Sequence, residues 1–240
     1  MPNVHEIIKR NKHERLLTPE QQWQSLQTAF LTLRDVPYGI YQPTDRPLTL
    51  DGHLNNFLAQ GTGTCTPKHL LLGLMCEKFG INVEYLSYYF YWQNLKINYP
   101  EELRAPLSKM PAQLHTSIAI SLLNDTDNKN YEIDCTWDRL LQNIGFPINF
   151  LNESPSGCAL GVIPHSAPII HRTAEDKWLF LQRTKSMMPL NPYTSLFYKG
   201  LNEWMLATRS QPTFCDQQDN SNSPIADRLS LIAIAQFENS

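Results

Sequence analysis

The run from Gly61 to Gly80, Gly-Thr-Gly-Thr-Cys-Thr-Pro-Lys-His-Leu-Leu-Leu-Gly-Leu-Met-Cys-Glu-Lys-Phe-Gly, constrains the fold more than any other stretch of this chain. It reads as a turn, a cysteine and then a buried helix. Gly61 and Gly63 let the backbone bend sharply and leave space above the Cys65 sulfur. Thr66 suits a helix cap and Pro67 the first helical position. Leu70, Leu71, Leu74 and Met75 recur at helical spacing, and Gly80 is a natural stop. Cys65 thereby stands at a helix N-terminus, where unpaired N–H groups and the helix dipole favour an anion. A thiol so placed loses its proton more readily, and the thiolate is the nucleophile.

The flanking segments supply what such a helix packs against. Residues 1–17 are polar and basic, with Ile7, Ile8, Leu16 and Leu17 as docking points. Thr18-Pro19-Glu20-Gln21 has the form of a capping box, and Trp23, Leu26, Phe30 and Leu33 continue it as an amphipathic helix that stops near Asp35-Val36-Pro37. Tyr38 to Asp51, with Pro43 and Pro47, reads as loop; Leu54, Phe57 and Leu58 predict a short helix before the glycine turn. Ile81 to Trp92 is aromatic and β-branched, hence a strand. Gln93 to Gln113 reads as an irregular excursion, Leu114 to Leu123 as a second strand, Asn124 to Asn130 as a turn and Tyr131 to Trp137 as a returning strand. Beyond it, 145–170 reads as loop, Lys177 to Leu181 as a short strand, Tyr193 to Ala207 as a helix and Ser210 to Pro224 as a polar linker. Leu229 to Phe237 is a last apolar segment, helix or strand.

The pattern predicts an α+β fold: a central antiparallel sheet packed against the cysteine-bearing helix. It predicts one domain over 1–240, with a core at about 36–140, a helical N-terminal extension over 1–35 and a C-terminal elaboration over 141–240. On the second strand His115, Ser117, Ala119 and Ser121 share a face. The small residues of that face predict that the central helix lies close against it.

A catalytic cysteine needs a base to take its proton, and the base works best when a third group fixes its tautomer. His115 and Asp134 are the pair that satisfies this. An antiparallel hairpin that sets residue 115 opposite 134 has its midpoint between Asn124 and Asp125, inside the turn signal, and opposed residues share a face. His69, one turn along the helix from Cys65, is the rival base, with no acid obviously placed to orient it. Gln60, just upstream, is a candidate oxyanion donor beside the backbone N–H of Cys65.

Gly-Thr-Cys at the head of an apolar helix, a histidine at a strand start and then Ile133-Asp134-Cys135-Thr136-Trp137 resemble the transglutaminase-like superfamily. The resemblance spans about Val36 to Arg139. It implies a papain-like triad, with Cys65 as nucleophile, His115 as base and Asp134 as orienting acid, and no cofactor. The implied chemistry is hydrolysis or acyl transfer at an amide or isopeptide-type carbonyl through a thioester. The substrate it implies is a peptide, a protein or a small amide. Lys68-His69 and Thr116-Ser117 depart from the pattern usual in that superfamily. They motivate a second reading: a non-catalytic module that binds a peptide or protein in the same cleft. A third is an N-acyltransferase-like enzyme that takes its acyl group from coenzyme A.

Composition narrows the remaining choices. A net charge of -3 and a pI near 6.2, with no long basic stripe, give no reason to expect a nucleic-acid partner. No apolar run approaches the about 20 residues that span a bilayer, and the start has no signal-like apolar core. The five cysteines, at 65, 76, 135, 158 and 215, include no Cys-x-x-Cys pair. That argues against a disulfide framework and against a structural metal site, so the expectation is a cytoplasmic, reducing setting. Cys76, Cys135, Cys158 and Cys215 read as small apolar residues.

Overall fold

The computed structural model of the chain describes residues 3–8, 17–40, 49–122, 129–151, 157–187, 191–210 and 224–238. Leu16, the loop prolines Pro43 and Pro47, most of the Asn124 to Asn130 turn, and nearly all of the Ser210 to Pro224 linker with Cys215 lie outside the described residues.

Helix α1 (Val4–Ile8) leads to α2 (Pro19–Arg34). The capping box forms at Thr18: its Oγ1 accepts from the Gln21 N–H at 3.3 Å, and Gln21 Oε1 accepts from the Thr18 N–H at 2.9 Å. The buried face of α2, Leu26, Ala29, Phe30 and Leu33, joins the same core as α4 (Cys65–Lys78), and α3 (Leu50–Gln60) lies between them in sequence. Of the 14 residues of α4, 11 are buried, so it is a central helix rather than an amphipathic one. It starts two residues before Pro67. Thr64 is the residue before its first turn and makes no side-chain cap bond. Thr66 does not cap either: its hydroxyl meets the Thr116 hydroxyl at 3.2 Å, which ties the helix start to the sheet.

Four antiparallel strands form the sheet, in the order β3-β2-β1-β4, with β1 Asn82–Phe90, β2 Gln113–Ser121, β3 Tyr131–Ile133 and β4 Ile169–His171. The α+β architecture with an antiparallel sheet is therefore as the sequence predicts. The face against α4 is not. Gly73 sits so close to β1 that a Cβ there would lie 2.4 Å from the Tyr85 ring. Tyr85 pairs with Ile118, and Tyr85, Ile118 and Ile120 share the apolar core of α4. The helix thus covers the branched face of β2, not the face of His115 and Ser117. Burying each isoleucine is worth about 1.5–3 kcal/mol, and the close approach comes from a glycine on the helix rather than from small residues on the strand.

Three further elements depart from the sequence pattern. The expected strand at Lys177 to Leu181 lies inside α6 (Ala174–Met187), because a five-residue apolar run carries no period that separates helix from strand. Buried Lys177 donates from α6 to Ser87 of β1, whose hydroxyl also meets His171 Nε2 at 2.9 Å. The excursion after β1 contains α5 (Glu101–Leu107), and the 145–170 loop ends in β4. Helices α7 (Pro192–Arg209) and α8 (Ile225–Glu238) complete the chain.

Two apolar clusters result. One joins α1, α2, α3, α4 and α8 to the branched face of the sheet. The other is aromatic, with Trp92, Tyr99, Trp137, Phe146 and Phe197, and fastens α5 and α7 over the end of β1. The candidate site lies against this second cluster. Among the described residues no helix is long and apolar enough to cross a membrane.

Candidate active site

Cys65 is the first residue of α4, His115 the third of β2, and Asp134 follows the last residue of β3. The contact between them is made at the end of the sheet, not across its face. His115 Nε2 is 2.6 Å from Asp134 Oδ2, with both side chains buried. The other ring nitrogen is left for the sulfur, and the imidazole and the Thr116 backbone lie close enough to Cys65 to favour its charged form. The three residues singled out in the sequence are thus brought together.

The register that does this differs from the expected one. Ile118 lies opposite Ile133, a shift of two residues from a pairing of 115 with 134. An even shift keeps every side chain on its face. β3 also stops at Ile133 instead of continuing to Trp137, and Asp134 is freed to turn toward the imidazole.

Burial alone pushes the Asp134 carboxyl up. The His115 charge and hydrogen bond outweigh it, with His69 and the Thr136 N–H adding to them, and hold the group well below the carboxylate range. Burial pulls the His115 imidazole down, but Asp134 and Cys65 raise it to about 10. Burial likewise pushes the Cys65 thiol up, and the neighbouring His115 and the Thr116 backbone bring it below its ordinary value. The three neighbours thus favour one another's charged forms: the imidazole lowers the thiol and the carboxyl, and both of them raise the imidazole. In contrast, burial pushes the Cys158 thiol up to about 12 and raises Cys76 and Cys135 further.

His69 is not available as a base. Its Nδ1–H donates to the Cys65 carbonyl at 2.7 Å, and its Nε2 accepts from the Cys135 N–H at 2.9 Å. That assignment fixes a neutral tautomer, so its 3.5 Å approach to Asp134 Oδ1 is no ion pair. Burial pulls this imidazole down to about 4 against the pull of Asp134. Its neighbour Lys68 is also buried, and its ammonium donates to the carbonyls of Arg34 and Thr136, both at 2.9 Å. Burial pulls Lys68 down to about 8, with Asp138 opposing. Lys68 and His69 therefore fasten α2, α4 and the Asp134 loop together. Gln60 ends α3 exposed and does not line the cleft around Cys65.

Several residues of the site were not marked by sequence. Gly161 donates its N–H to Asp134 Oδ2 at 2.7 Å, and its carbonyl accepts from Trp137 Nε1 at 2.6 Å. Asn149 Nδ2 donates to the Asp134 carbonyl at 2.9 Å, and the Asp134 N–H donates to Cys158 Sγ at 3.3 Å. The acid is thus gripped by a strap from the C-terminal part of the chain. Its only sequence signal is a glycine and an asparagine in a loop. Tyr38, which the sequence leaves in a loop, lines the cleft beside Cys65 with Phe90, Trp92, Trp137 and Tyr198. The cleft encloses about 450 Å³ including its open mouth, and among the described residues His115 is the one His, Lys, Arg, Asp or Glu side chain that lines it.

No cluster of three or more His, Cys, Asp or Glu side chains placed to hold a metal ion occurs among the described residues. A buried thiol lowered by a neighbouring imidazole, an orienting carboxylate and an aromatic cleft together suit addition of sulfur to an uncharged carbonyl group. Set against family models, curated proteins and solved structures, the chain matches none of them, so the arrangement of its own side chains carries the functional reading.

Proposed function

We propose that the protein is a thiol enzyme that hydrolyses or transfers acyl groups at an amide or isopeptide-type carbonyl, with a core of the transglutaminase-like, papain-like kind. The observation that carries the reading is the 2.6 Å bond from His115 to Asp134, with Cys65 beside the same imidazole in one cleft. The Cys65 thiolate adds to the carbonyl carbon. The intermediate collapses, and the leaving amine takes a proton from the His115 imidazolium. The resulting thioester is attacked by water or by an amine whose proton His115 accepts. Water gives a carboxylic acid and an amine gives a new amide, so product identity names the enzyme class. Asp134 stays ionised and holds the ring through Nε2.

The non-catalytic reading drew on Lys68, His69, Thr116 and Ser117. Each has a structural task here: the first two bind backbone, Thr116 meets Thr66, and Ser117 donates to Glu132 Oε1 at 2.5 Å. For the coenzyme A reading, no lysine or arginine among the described residues lines the cleft to receive phosphates. The test is Cys65→Ala against wild type on a panel of acyl donors, with product mass as readout. Turnover that falls at least about 10⁴-fold in a folded variant supports the reading; turnover equal to wild type overturns it.

A further inference from the structure

When sulfur adds to a carbonyl, the oxygen takes up negative charge and needs donors fixed in advance. The Cys65 N–H, at the first residue of α4, is one. We propose that the Tyr38 hydroxyl is the other, a catalytic residue that donates a hydrogen bond to the oxyanion formed on Cys65. The inference rests on the thiol acyl chemistry proposed above.

Tyr38 is held from every side except its hydroxyl. It pairs with Gly63, two residues before the cysteine: the Gly39 N–H donates to the Gly63 carbonyl and the Gly63 N–H to the Pro37 carbonyl, both at 3.1 Å. The Tyr38 N–H donates to Asp138 Oδ2 at 2.8 Å, and its carbonyl accepts from Arg209 Nη2 at 2.9 Å. Its ring packs on Trp137 with centroids 4.5 Å apart. The residue is 5% exposed. Its phenol oxygen has no hydrogen-bond partner among the described residues, yet it is not one of the polar atoms sealed from solvent. The hydroxyl therefore opens on the cleft that Cys65 lines.

Apart from the hydroxyl of Thr64, which precedes Cys65 and makes no side-chain cap bond, the other polar groups around the cleft are spent or sealed. The Tyr198 hydroxyl donates to Gln113 Oε1 at 2.6 Å, and Gln113 Nε2 donates to the Pro111 and Ala112 carbonyls. Thr66 and Thr116 meet each other, while Thr136 Oγ1 and Trp92 Nε1 have no accessible surface. Burial first, and the nearby Cys65 next, push the Tyr38 phenol well above its ordinary value, so it keeps its proton at neutral pH. In the step itself the S–C bond forms and the carbonyl π pair moves onto oxygen. Tyr38 and the Cys65 N–H donate hydrogen bonds without releasing protons. On collapse the pair returns and the bond to the leaving group breaks.

Two reagents separate this role from a structural one. Acetylation of Cys65 by p-nitrophenyl acetate passes through an oxyanion; alkylation by iodoacetamide is displacement at a saturated carbon and does not. Tyr38→Phe removes one oxygen and keeps the ring on Trp137. The expected result is acetylation slowed about 100-fold with alkylation within about twofold of wild type across pH. Acetylation at the wild-type rate, or both reactions slowed in parallel, overturns the assignment. If p-nitrophenyl acetate labels no cysteine of the wild type in preference, the thiol mechanism itself falls and this inference with it. If it labels Cys65 in both proteins at one rate, only the role of Tyr38 falls.

Discussion

Lys68 and His69 lie one turn along α4 from Cys65, and their chemistry is decided by what their polar atoms touch. Both ring nitrogens of His69 are committed to backbone, so its neutral form is built into the fold. The folded value near 4 lies below the ordinary 6.5 of an unfolded histidine, so between those limits the unfolded chain binds more protons. Stability from this group is complete above pH 6.5 and is lost as pH falls toward 4, by roughly 3 kcal/mol at most. Urea unfolding at pH 7 and pH 4.5 is expected to show the loss. His69→Gln, which offers a donor and an acceptor but does not titrate, is expected to flatten it. Cys65 makes the complementary prediction. With its thiol held low by His115 and those of Cys76, Cys135 and Cys158 held high, iodoacetamide at pH 7 is expected to label Cys65 first. Peptide mapping that finds equal labelling removes the activated thiolate. The triad was legible residue by residue because its residue types are rare at such positions. Gly161 was not, since a backbone N–H has no letter of its own. A Cβ at Gly161 would stand 2.9 Å from Trp137 Nε1 and 3.2 Å from Asp134 Oδ2. Gly161→Ala is therefore expected to move the strap off the acid and slow acetylation of Cys65 about 10–100-fold, read by nitrophenolate release.

The same contrast runs through the elements. α2, α4, β1 and α7 were legible because each carries a full period of apolar residues between strong caps or breakers. α6 and β4 were not: a five-residue apolar run and a three-residue edge strand hold too little pattern, and their form is set by what they pack on. Predicting which face of β2 meets α4 failed for a related reason. Small residues on a strand permit close approach, but the helix brings its own in Gly73, and branched side chains opposite then fill the gap. Gly73→Ala tests this. Helix propensity alone favours alanine by about 1 kcal/mol, whereas overpacking against Tyr85 costs about 1–3 kcal/mol. A net loss of stability in thermal unfolding is the expected sign, and a gain would mean that the Tyr85 ring moves aside freely.

Across the whole molecule, ties between distant parts of the chain hold the cleft in shape. Arg209, at the end of α7, bonds both Asp138 carboxylate oxygens, at 3.1 and 2.5 Å, and the Tyr38 carbonyl. Removing it takes the guanidinium from both oxygens of buried Asp138 and leaves only the Tyr38 N–H and the nearby Lys68 to offset the carboxylate, a loss at or below the about 3–5 kcal/mol seen where buried pairs have been broken. Arg209→Met is expected to lower the urea midpoint accordingly and to slow acetylation beyond what its folded fraction explains. The sequence places α7 in the chain but gives no sign that its last turn reaches the loop before α3. A charge pair between residues 71 apart and a hydrogen bond between residues 171 apart leave no local pattern.

Tyr38, Cys65, His115, Asp134, Gly161 and Arg209 stand in that order along the chain, and the last of them closes the first into place. During synthesis, when the chain leaves the ribosome N-terminus first, the nucleophile emerges long before the residues that aim and contain it. On the proposed mechanism a nascent chain is therefore chemically quiet toward its surroundings, and its chemistry switches on only as the final third of the polypeptide docks.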